Sequence, residues 1–139
     1  MDLPRDVRTA EKADDTNKLY LYALIRADLE MPSGKLSSQA GHAYTDTLWQ
    51  AYDHDPDLAL RYRRDGAGGS KVTIKAKNLA ALLRAQRECE DAGIPHALIT
   101  DRDHILLPHF DGSPVVTVLG IGPCTKDECR HITKRFQVV

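Results

Sequence analysis

The sequence predicts an α/β domain with helices on both faces of its sheet. Strand patterns alternate with helical patterns along the chain, the first strand is apolar on both faces, and a strand–helix–strand unit runs from Lys71 to Thr100. A chain of 139 residues fits one domain around one core. Its 42% hydrophobic and 28% charged residues match an ordinary soluble globular protein.

Residues 1–17 are polar, contain Pro4 and show no apolar period, which predicts a disordered or loosely attached tail ahead of a domain over 18–139. Lys18–Arg26 reads as a central strand: Leu19, Leu21, Ala23 and Ile25 share one face, Tyr20, Tyr22 and Leu24 the other. After a turn with Pro32 and Gly34, Ser33 is the expected N-cap of a helix from Gly34 to Tyr52. A break is expected over Asp53–Asp57, then a short helical piece over Leu58–Arg64 and a loop with Gly66, Gly68 and Gly69. Lys71–Lys77 alternates Val72, Ile74 and Ala76 with Lys71, Thr73, Lys75 and Lys77, as a strand with one wet face does. Asn78 caps a helix that turns Leu79, Leu82, Leu83, Cys89 and Ala92 to the core, and Gly93 ends it. Pro95–Thr100 is the next strand; a βαβ unit makes it parallel to the preceding one. Asp101–Ser113 carries no regular pattern. Pro114–Ile121 is an apolar strand, and Thr125 and Glu128 have capping-box spacing for a last helix ending near Phe136. Sites in such sheets form at the carboxyl ends of strands, here Asp28–Lys35, Asp101–His104 and Gly120–Pro123.

No apolar run approaches the roughly 20 residues that span a bilayer. The first seventeen residues lack the apolar stretch of a signal peptide, so the expected location is cytoplasmic and no membrane partner is expected. Cys89, Cys124 and Cys129 are odd in number and too few for a disulfide framework; they read as free thiols. Net charge is −1, and without the first seventeen residues sixteen basic side chains face fifteen acidic ones. An RNA-binding surface would therefore be a local patch.

Four constellations carry chemistry. Lys35, Gln39, His42 and Asp46 recur at i, i+4, i+7 and i+11, one narrow polar stripe on a helix whose open first turn favours an anion beside Lys35. A solvated helix face explains the stripe equally well. Asp101, Asp103 and His104 follow a strand, where a carboxylate and an imidazole orient or deprotonate water; turn chemistry accounts for the same residues. Arg61, Tyr62, Arg63 and Arg64, followed by Lys71, suit phosphate binding with a stacking tyrosine, or plain solvation. Cys124, Cys129 and His131 lack the fourth ligand and the spacing of a structural zinc site, so no metal is expected. Gly34-Lys35 is followed by Leu36, and Gly120-Ile121-Gly122 by Pro123, which excludes both nucleotide-loop motifs; no G-x-S-x-G is present.

Three segments together resemble the type 2 peptidyl-tRNA hydrolase family. Asp28-Leu29-Glu30-Met31-Pro32-Ser33-Gly34-Lys35-Leu36-Ser37-Ser38-Gln39-Ala40-Gly41-His42-Ala43 resembles its strand-to-helix signature. Gly93-Ile94-Pro95-His96-Ala97-Leu98-Ile99-Thr100-Asp101 is similar to its helix-to-strand passage, and Val116-Thr117-Val118-Leu119-Gly120-Ile121-Gly122-Pro123 to its near-terminal signature. The resemblance covers about Lys18–Val139. It implies a three-layer α/β/α sandwich around a small mixed β-sheet, often dimeric, and hydrolysis of the ester between a peptide and the terminal ribose of tRNA without a cofactor. It assigns Lys35, Asp101 and Thr117 to the site, with Gln39 and His42 at motif positions. The expected roles follow. Lys35 stabilises the terminal phosphate or the oxyanion. Asp101, alone or with His42, activates water, and Thr117 positions that water or the ester carbonyl. Gln39, Arg61, Arg63, Arg64 and Lys71 bind substrate. The chain departs from the family in Arg102–Pro114, which is longer and lacks a second threonine. That departure keeps open a catalytically weak member that binds RNA, and the near-neutral charge keeps open a protein-interaction module on the same fold.

Overall fold

The computed structural model describes residues 17–65 and 68–139; the expected tail, apart from Asn17, and Gly66 of the glycine loop lie outside the described residues. The strands are β1 (Leu19–Arg26), β2 (Ser70–Ala76), β3 (His96–Asp101), β4 (Ile105–Leu106), β5 (Phe110–Asp111), β6 (Val115–Thr125) and β7 (Gln137–Val138). The helices are α1 (Ser33–His54), α2 (Pro56–Arg64), α3 (Leu79–Ala92) and α4 (Lys126–Thr133), with a short 3-10 turn over Ala27–Leu29.

Five strands form one mixed sheet in the order β3, β6, β1, β2, β7. β1 and β2 are parallel; the other three pairings are antiparallel. The apolar alternation of β1 places it third of five, where both faces must be covered. Tyr20, Tyr22 and Leu24 join Ile74, Leu82, Cys89, Leu119 and Ile132 under α3 and α4. Ala23 and Ile25 join Ala40, Ala43, Val118 and Phe110 under α1, and Leu19 and Leu21 pack on Tyr62 of α2. Three layers result, α/β/α, as expected. Among the described residues no helix is long and apolar enough to cross a membrane.

Several boundaries differ from expectation for local reasons. α1 starts at Ser33, not after it: Pro32, with φ −58° and ψ 157°, already has cap geometry, and its carbonyl accepts from Leu36 N–H at 2.8 Å. The break after α1 is Asp55 alone. Its carboxylate accepts from Leu58 N–H at 3.2 Å, and Pro56 opens α2 at once. On α3, Asn78 caps through Ala81 N–H and Gly93 ends the helix at φ +69°, but Ala85 faces the core and Ala92 is exposed. β2 and β3 do run in the same direction; β1 and β6 lie between them, so they are not neighbours. The patternless stretch after Asp101 holds the two-residue strands of a small hairpin, too short for a sequence period. The Thr125–Glu128 capping box opens α4, which stops at Thr133; the chain then adds β7 to the edge of β2.

Candidate active site

The carboxyl ends of β1 and β3 and the amino end of α1 meet on one side of the sheet. β1 leaves through the 3-10 turn, and Leu29 and Met31 anchor the following loop in the core beneath α1. Arg26, at the strand end, donates to Val116 O at 3.0 Å and grips Asp28 through two nitrogens at 2.8 and 3.2 Å. That guanidinium holds the Asp28 carboxyl below its ordinary 3.8. The turn that delivers α1 is thereby pinned to β6.

Lys35, in the first turn of α1, reaches across to Asp101 at the end of β3. Its Nζ donates to Asp101 Oδ2 at 2.7 Å, with the two side chains only 10% and 16% exposed. The same ammonium sits 4.5 Å above the Phe110 ring and meets His104 Nδ1 at 2.5 Å. An ammonium has no acceptor, so Lys35 donates and the imidazole accepts at Nδ1. His104 Nδ1 lies 3.8 Å from Asp101 Oδ2.

Gln39, one turn along α1, continues the network inward. Thr117 donates its hydroxyl to Gln39 Oε1 at 2.6 Å, which turns the Gln39 amide nitrogen toward Asp101 Oδ1 at 3.5 Å. Thr117 is fully buried and Gln39 is 4% exposed. A β-bulge brings Thr117 there: Ile99 pairs with Val118 and Thr100 with Val116, leaving Thr117 as the extra residue. It consequently shares the α1 face of the sheet with Val118 instead of facing α3.

An open polar cleft of about 460 Å³ adjoins these groups, lined by Gln39, His42, Asp46, Thr100, Asp101 and Arg102 among others. Three members of the helical stripe, Gln39, His42 and Asp46, thus border a cavity. His42 and Asp46 border it, and no hydrogen bond joins His42 to Asp101 among the described residues. Lys35, Gln39, Asp101 and Thr117 come together, while Arg61, Arg63, Arg64 and Lys71 do not. Lys71 is paired with Leu21 at the opposite end of β1, and the three arginines ride on α2 beside the carboxyl half of α1. Tyr62 is wholly buried against Leu19 and Leu21 and donates to Ser70 O at 3.2 Å, so it offers no stacking face, contrary to expectation. Gly120–Pro123 is also displaced from the site. β6 is antiparallel, so its beginning, not its end, lies beside Asp101.

The sequence offered His104 as a partner of Asp101 for water or as turn chemistry, not as a contact of Lys35, and nothing flagged Phe110, because both placements depend on a hairpin with no legible period. Cys124 and Cys129 are buried in the core while His131 is exposed, which separates the zinc-like trio.

Residues 19–139 match the family model described as "Peptidyl-tRNA hydrolase PTH2". The chain is 29% identical over 116 residues to a peptidyl-tRNA hydrolase of Thermococcus sibiricus, covering 84% of this chain and 93% of the relative. It is 32% identical over 108 residues to that of Haloquadratum walsbyi and 34% over 108 residues to that of Halobacterium salinarum; each match covers 78% of this chain and 88% of the relative. With Lys35, Gln39, Asp101 and Thr117 joined in one network and the match running over residues 19–139, the chain belongs to the PTH2 family of peptidyl-tRNA hydrolases.

Proposed function

We propose that this enzyme hydrolyses the ester of peptidyl-tRNA at the Lys35–Asp101 pair, with Thr117 orienting Gln39 toward the carboxylate. Peptidyl-tRNA hydrolysis is the activity of the family to which the chain belongs. The observation that carries the residue assignment is the 2.7 Å contact of Lys35 with Asp101, a carboxylate that lines a polar cleft.

In the proposed step a water bound at Asp101 attacks the ester carbonyl carbon and passes a proton to the carboxylate. The carbonyl becomes an oxyanion. As Asp101 is protonated its hold on Lys35 weakens, and the ammonium turns to the new negative charge. The C–O bond to the ribose then breaks, and the departing ribose oxygen takes the proton back from Asp101. The products are a peptide with a free carboxyl group and tRNA. His104 and Phe110 keep the ammonium in the cleft, and His42 borders the path of the substrate. Thr117 acts through Gln39, since its hydroxyl is buried.

We place the enzyme in the cytosol, as its part in translation suggests, and expect tRNA binding through basic side chains that weakens as salt is added. A homodimer is part of the same reading, and light scattering at working concentration checks it.

The test is release of tRNA from an N-acetylated aminoacyl-tRNA. Lys35→Ala and Asp101→Asn are each expected to lower kcat by about 10²-fold or more, with an unchanged circular dichroism spectrum. A folded Lys35→Ala enzyme with wild-type turnover overturns the assignment.

A further inference from the structure

The burial of Tyr62 leaves the basic cluster on α2 without an aromatic partner of its own, yet two exposed rings stand beside it. Trp49 is 64% exposed and Tyr52 is 42% exposed; they meet edge to face at 6.1 Å. With Leu48, Ala59, Leu60 and Arg63 they line an apolar pocket of about 340 Å³ between α1 and α2. A solvated indole of this kind is costly to leave bare and is a common recognition element.

Its position is informative. At 100° per residue, Trp49 lies within about 40° of Lys35 around α1, on the stripe that carries Gln39, His42 and Asp46. It follows Lys35 by fourteen residues, about 21 Å along the axis. One helix face therefore runs from the ester-cleaving pair to the ring. Asp46 and Asp53 are exposed on either side of Trp49 and repel phosphate from the helix face itself. The cations stand on α2 instead, at Arg61, Arg63 and Arg64, with Lys71 near the same loop. A ring flanked by acids with guanidiniums to one side suits a base on the ring and its backbone on the arginines.

We propose that the pocket of Trp49, Tyr52, Leu60 and Arg63 is a nucleobase-stacking subsite for tRNA, holding a base several nucleotides from the ester. The proposal rests on the peptidyl-tRNA reading above and adds to it where the polynucleotide lies, along the flank of α1 that runs from Lys35 to Trp49.

Trp49 is the single tryptophan of the chain, so its emission reports on the site directly. Titration with uncharged tRNA is expected to quench it saturably, with an apparent Kd that rises with salt. In the hydrolysis assay Trp49→Ala should raise KM about 5- to 150-fold, the range for loss of one base–aromatic stack. It should leave kcat within about twofold, because stacking binds substrate and transition state alike. Trp49→Phe should recover most of the loss. With an N-acetylaminoacyl ester of adenosine, too short to span 21 Å along α1, Trp49→Ala should match the wild type. Unchanged KM with no quenching overturns the subsite. So does an emission change that depends on protein concentration alone, with Trp49→Ala shifting the mass from dimer to monomer, since a second copy then covers the rings. Saturable quenching by tRNA in a wild type that cleaves nothing leaves the subsite standing and removes the hydrolase reading.

Discussion

Thr117 has no surface of its own, yet it sets the direction of an amide that faces Asp101. A threonine donates one proton, and here it goes to Gln39 Oε1 at 2.6 Å, so the other end of that amide is left to Asp101. Thr117→Val keeps the buried shape and removes the proton. It is expected to lower kcat about 3- to 10-fold, the worth of one hydrogen bond, with KM little changed, whereas Thr117→Ser retains activity. Equal kcat for the valine variant and the wild type in the same hydrolysis assay sinks this role. At this scale the site was largely legible: Lys35, Gln39 and Asp101 stood in motifs, and helical spacing put the first two on one face. The link from Thr117 to Gln39 was not legible, because it depends on one extra residue in a strand pairing, and strand alternation alone puts Thr117 on the other face. Tyr62 misled for the opposite reason. A tyrosine among arginines reads as surface, but its ring fills the gap between α2 and β1, and the chain packs on it so closely that a side chain at Gly69 would overlap the ring.

Among the elements, α1 and β6 are packed backbone to backbone at one glycine. At Gly120 a side-chain carbon would overlap Thr47 Oγ1 and stand 2.8 Å from the Ala43 carbonyl oxygen. The glycine lets the helix backbone approach the strand that carries Thr117. Gly120→Ala must push α1 outward or crowd Thr47, and is expected to destabilise the fold by about 1–3 kcal/mol as overpacking does. Urea unfolding measures it; a midpoint equal to wild type rules out that contact. Because α1 also carries Lys35, the variant should lose activity before it unfolds. Elements with long periods were readable in advance: β1, α1, β2, α3 and the capped start of α4. The hairpin of β4 and β5 and the terminal β7 were not, since two residues per strand leave no alternation to read. Their pairing comes from the surroundings.

For the molecule as a whole, the last residues are held by an ion pair that also makes stability depend on pH. Arg135 grips both oxygens of Glu88 on α3, at 2.5 and 3.1 Å, and this holds the Glu88 carboxyl below its ordinary 4.5. A depressed carboxyl stabilises the fold above its unfolded value and loses that contribution as pH falls through the folded one. Glu88→Gln should therefore lower stability at pH 7 by about 0.5–1 kcal/mol, since the pair is partly exposed. The difference from wild type should vanish on acidification below the folded value. Thermal melts of both proteins across pH 2.5–7 decide it, and a difference that persists in acid excludes the pair as its source. The strand order has a different consequence, one of timing. β6 lies between β1 and β3 but follows both in the chain, so the middle of the sheet stays an open slot until Thr125 has been made. Thr117 arrives only with that strand, and until then Gln39 has nothing to orient it. A growing chain of this enzyme is itself a peptidyl-tRNA; the candidate site closes only once β6 has been made, so up to Thr125 the chain has the form of the substrate before it has that of the catalyst.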